Sequence, residues 1–140
     1  MDIIEDLILL LFLFICSYED LRTRHINFFV CIVTELIYIF ILIFLNRFNF
    51  LYIILGLIPG ALIYLSSILF NGQIGKGDGI IIAVIGTMVG ILKVTRILLI
   101  AFILVLVICT PILIILRKSL KTRLPFVPFI LLSFIIIKFV

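Results

Sequence analysis

"ILLIAFILVLVICTPILIIL", residues 97–116, runs for twenty residues without a charge. A helix needs about 20 predominantly apolar residues to cross the hydrocarbon core of a bilayer. The rest of the chain is written the same way. Of its 140 residues 66% are hydrophobic, and the mean hydropathy is +1.58. An ordinary soluble domain is about 45–50% apolar. One small core cannot enclose this much apolar surface, so the implied solvent is lipid.

Outward from 97–116, the apolar segments are 3–18, 27–45, 50–70, 79–93 and 125–139, with the charges gathered between them. That layout predicts an all-α protein, a polytopic membrane helical bundle of about six transmembrane helices, forming one membrane-embedded domain over 1–140. Segments 79–93 and 125–139 are short for a full span, which implies a locally thinned bilayer or a broken or re-entrant helix.

If the first, third and fifth connections share a side, that side holds Arg22, Arg24, Lys76, Arg117, Lys118, Lys121 and Arg123, and the other holds Arg47, Lys93, Arg96 and Lys138. The richer side is expected to be cytoplasmic, with both termini outward. The net charge of +4 lies beside membrane segments and points to headgroups, not to nucleic acid. The first segment opens with Asp2, Glu5 and Asp6 and lacks a basic leader, so it reads as a retained helix. Cys16, Cys31 and Cys109 stand singly in apolar runs and read as small membrane-facing or packing residues, not as a disulfide frame or a zinc site.

The acids carry the chemistry. Asp20 ends the first segment and Asp78, in "NGQIGKGDGIII" (71–82), begins the fourth. Two spans separate them, so both emerge on the same face. A carboxylate beside hydrocarbon is costly and marks a functional hypothesis. Two carboxyls within reach of one bridging water cannot both ionise easily, and such a pair performs general acid–base work on water and a peptide carbonyl. Gly75 and Gly77 permit positive φ and a close approach of substrate backbone, which makes Gly75, Lys76 and Gly77 candidate substrate-binding residues. The plainer reading is a turn with Asp78 as helix N-cap and Asp20 as an interfacial charge. Glu19 is a second candidate for the acid at position 20. Glu35, inside the second segment, reads equally as a structural partner or a group that tunes the pair. His25 reads as a headgroup-level residue. No cluster has metal-ligand spacing, no serine–histidine pairing stands out, and neither metal nor cofactor is expected.

"DLRTRHIN" (20–27), "GKGDGIIIAVIG" (75–86) and "LPFVPFIL" (124–131) resemble, in order, three motifs of the type IV prepilin peptidase family. Asp20 and Ile26 match the first, Gly75, Gly77 and Asp78 the GxGD motif, and Pro125, Phe126, Pro128 and Phe129 the third. The resemblance implies a membrane aspartic endopeptidase of the cytoplasmic membrane, with Asp20 and Asp78 catalytic. Its expected substrates are prepilin-like proteins of pilus or secretion systems, whose leader is cut at the cytoplasmic face. Asn27 stands where the family has proline, and Gly79-Ile80 replaces a Val-Lys, with Lys76 as the nearest basic residue. The cysteine-rich methyltransferase portion of longer members is missing, so N-methylation is not expected. Two other classes stay open: a non-catalytic assembly or adaptor protein, and a small ion transporter in which the acids relay charge.

Overall fold

The computed structural model describes residues 3–23, 26–69, 75–115 and 125–139. Its described elements are six helices and no strand: α1 Ile3–Thr23, α2 Phe28–Phe44, α3 Phe50–Leu69, α4 Lys76–Val89, α5 Ile91–Ile115 and α6 Val127–Phe139. The chain is an all-α helical bundle, as its composition implies. Phe50–Leu69 and Ile91–Cys109 are long and apolar enough to cross a membrane. Phe14, Phe40, Phe44, Leu51 and Leu92 are among many large apolar side chains left exposed. Apolar surface on this scale marks contact with lipid or with another apolar partner.

Three boundaries differ from the sequence expectation. Helix α1 continues to Thr23, so Asp20 lies within its last turns. "KVTR" (93–96) is not a connection, because α5 begins at Ile91. The break comes earlier, at Gly90, whose φ of +82° ends α4 in a conformation that glycine adopts without strain. Arg24, His25 and the "RKSLKTR" run lie outside the described residues.

The α3–α4 contact is the closest in the bundle. Gly56, Gly60 and Tyr64 on α3 face Gly86, Ala83 and Gly79 on α4, respectively, and a Cβ added at Gly56 or Gly86 would strike the other's backbone. Small residues one turn apart let two membrane helices approach to backbone contact. The core is completed by Leu9, Phe12, Leu13 and Cys16 of α1, Ile81, Ile82 and Ile85 of α4, and Val127, Ile130 and Phe134 of α6. All three cysteines are buried and free, consistent with packing roles.

Candidate active site

The C-terminal end of α1 and the N-terminal ends of α4 and α6 meet at one end of the bundle. Asp20 comes from the first and is 7% exposed. Its Oδ2 accepts the backbone N–H of Val127 at 3.1 Å. Val127 is the first residue of α6, where an N–H has no partner within the helix and the dipole end is positive. The third sequence motif thus reaches Asp20 through its main chain. Phe126 anchors the same segment by packing its ring against Phe102 of α5, with centroids 5.2 Å apart.

Asp78 is half-buried in the first turn of α4, ahead of the apolar run that begins at Gly79. Burial, and after it the charge of Asp20, raise its carboxyl from 3.8 to about 6. The two carboxyls therefore lie within electrostatic reach of each other.

The glycines act differently from expectation. Gly75 has φ −62° and Gly77 is helical, and among the described residues the only glycine with positive φ is Gly90. Asp78 is not the N-cap. Gly75 holds that position and makes no side-chain cap bond. A Cβ on Gly75 would stand 2.6 Å from Asp78 Oδ2, so this glycine makes room for the Asp78 carboxyl. Gly77 makes room for Ile26, whose Cδ1 would be 2.6 Å from an added Cβ. Lys76 is exposed at the helix start.

Glu19 and Asn27 form a joint at the corner between α1 and α2. Asn27 caps α2, accepting the Phe29 N–H on Oδ1 at 3.0 Å, and donates its own N–H to Glu19 Oε2 at 3.1 Å. Together with Thr23 and Ile26 they line a cavity of about 320 Å³. Because Ile26 also abuts Gly77, this cavity adjoins the GxGD segment. Glu35 lies elsewhere, in the middle of α2, with Oε2 2.9 Å from Thr87 Oγ1 of α4. It has a neutral hydroxyl for company and stands apart from the two aspartates.

Backbone donors have no signature in a one-letter code, so the role of Val127 was not legible. Thr87 had a weak signal, being the lone hydroxyl in "AVIGTMVG" (83–90).

A profile of the type IV leader peptidase family matches residues 7–110, and the chain belongs to that family. The match includes both aspartates and ends ahead of the Phe126 segment. No curated protein and no solved structure matches the chain. Family and apolar helices together make this a membrane protein of leader-peptidase type.

Proposed function

We propose that the chain is a single-domain aspartic endopeptidase of the cytoplasmic membrane, cutting the leader from prepilin-like proteins at the cytoplasmic face with Asp20 and Asp78 as its catalytic pair. The observation that carries this reading is the electrostatic influence of Asp20, from α1, on the carboxyl of Asp78, from α4. In the proposed cycle Asp20 is the base, since its Oδ2 is already an acceptor at the positive end of α6. Asp78, which keeps its proton to higher pH, is the acid. Asp20 takes a proton from water as the oxygen attacks the scissile carbonyl carbon, and Asp78 gives its proton to the carbonyl oxygen. Collapse of the gem-diol intermediate re-forms the carbonyl, returns a hydroxyl proton to Asp78 and breaks the C–N bond, and the leaving nitrogen takes the proton held by Asp20.

Gly75, Lys76 and Gly77 sit beside Asp78 at an exposed helix start, where an extended substrate segment has access. Gly75 and Gly77 also make room for Asp78 and Ile26, so the substrate role of this segment is secondary in this reading. Cleavage of a prepilin-like substrate by reconstituted protein tests the proposal. Asp20→Asn and Asp78→Asn are each expected to abolish product while the helical content by circular dichroism is retained, and Glu19→Gln is expected to keep substantial activity. Normal cleavage by Asp78→Asn would remove the protease mechanism, and the adaptor reading would replace it.

A further inference from the structure

The fold brings two of the three cysteines together. The short corner between α1 and α2 is closed by the Asn27 N–H, which donates to Glu19 Oε2, and this contact sets the register of the two helices. Three residues back along α1 from Glu19 is Cys16, and four residues on along α2 from Asn27 is Cys31. Each step is about one helical turn, so the two cysteines stand at one level. Their side chains meet there: the Cys16 thiol donates a hydrogen bond to the Cys31 sulfur. Cys16 is 0% exposed and Cys31 1%. Asp20 lies one turn further along α1, within electrostatic reach of Cys16.

Two thiols in contact can share a metal ion or be joined to each other. A metal ion would find too few ligands, because among the described residues no group of three or more His, Cys, Asp or Glu could hold one. A disulfide needs no further partner and is neutral, which suits an apolar core. Its formation takes two electrons from the pair, so an oxidant must reach it. Buried thiols are inert toward water-borne oxidants for want of access. An apolar hydroperoxide dissolves in hydrocarbon instead, and the chain neighbours Ile15 and Ile32 are both exposed, so α1 and α2 meet the apolar surroundings at this level. The Cys31 sulfur attacks the terminal oxygen of the hydroperoxide. The O–O bond breaks, and the Cys31 thiol proton ends on the departing oxygen as an alcohol. The Cys16 sulfur then displaces hydroxide from the sulfenic acid, and its own proton leaves with that hydroxide as water.

We propose that Cys16 and Cys31 are an oxidative modification site, at which an apolar hydroperoxide joins them in a disulfide that fastens α1 to α2 one turn from Asp20. The full-length protein in detergent, treated with cumene hydroperoxide and then denatured, tests it. Free thiols are counted by maleimide addition in intact mass spectra. The untreated chain should take a label on each of its three cysteines. The treated chain should take a label on Cys109 alone, weigh about 2 Da less than the reduced chain, and recover all its labels after dithiothreitol. Peptide mapping of the wild type should place the bond between Cys16 and Cys31 without any substitution. Cys16→Ala and Cys31→Ala should each abolish the mass loss, and Cys109→Ala should leave it unchanged. Closing the short loop between positions 16 and 31 should raise the unfolding midpoint by about 5–10 °C, and reduction should reverse the rise. Full labelling after treatment, a bond that includes Cys109, or oxygen added to single cysteines in place of the bond would overturn the proposal. An unchanged midpoint would remove the fastening role. Thiol counts and midpoints do not depend on cleavage, so the peptidase reading stands or falls separately.

Discussion

Helix α4 carries very different neighbourhoods at its two ends. Near its C-terminus every demand of the fold is met. Residues Ile81 and Ile82 and Val84 through Val89 are buried, Thr87 contacts Glu35, and Gly86 lies against the backbone of Gly56. At its N-terminus Asp78 is half-buried, and the charge acting on it most directly is another carboxylate. Glu35 and Asp78 are both acids in apolar surroundings, yet one has a hydroxyl beside it and the other a like charge. A bundle held together by packing alone gains nothing from the second arrangement, so the difference separates what holds α4 in place from what α4 presents.

The largest expected effect lies at the N-terminal end. Asp20→Asn, Asp78→Asn and the double variant should each lose at least about a thousandfold in cleavage rate, with the double no worse than either single, because members of one catalytic unit are non-additive. Single-turnover cleavage assays check this, and multiplicative losses would mean that the two acids act separately.

The C-terminal end should break in stability instead. Gly86→Val pushes a side chain into the Gly56 carbonyl, and backbone cannot yield as a side-chain tip does. Overpacking of this kind costs about 3 kcal/mol, readable as a lowered unfolding midpoint in detergent. An unchanged midpoint would show that α3 and α4 have room to separate.

A third test concerns pH and sharpens the contrast through Asp78 alone. Burial, and after it the charge of Asp20, raise its folded carboxyl from the ordinary 3.8 to about 6. Between those values the folded state keeps a proton that the unfolded state has lost, so stability falls as pH rises through this window and stays lower above it. Asp78→Asn removes that cost. The variant should exceed the wild type by on the order of 1–2 kcal/mol at pH 7, allowing for solvent screening, and match it near pH 3.5. Denaturant titrations at the two pH values measure the difference, and a gap that persisted at low pH would assign it to packing.

The smallest effect is expected at Glu35. Glutamine keeps an acceptor oxygen for the Thr87 hydroxyl, so Glu35→Gln should cost under about 1 kcal/mol and leave cleavage near wild type. A collapse in activity with an intact fold would make Glu35 a partner of the aspartates and erase the distinction between the two ends.

Much of this architecture was legible because its signals are local. Charge-free runs such as 97–116 announce helices, and the spacing of Asp20 and Asp78 across two spans places them at one end. What stayed hidden depends on backbone geometry. "KVTR" looked like a loop because charge is a good marker of a span's end, but α5 carries Lys93 and Arg96 within its first two turns. Gly75 and Gly77 looked like conformational hinges because glycine permits positive φ. They instead provide space, for Asp78 and for Ile26, and composition does not distinguish these uses. The N–H of Val127 donates to a carboxylate 107 positions away, a pairing no sequence period records.

The joint between Glu19 and Asn27 bears on how such a chain changes over generations. Proline, the residue the resemblance leads one to expect at position 27, has no N–H to donate. Asn27→Pro would strip Glu19 Oε2 of its backbone donor and leave a released carboxylate beside Asp20. Glu19→Gln or Glu19→Ala would remove that burden in advance, making the later arrival of proline cheaper. Positions 19 and 27 are thus epistatic: the fitness of a residue at either depends on which residue already occupies the other, and a path that exchanges both crosses lower ground if the acid leaves first.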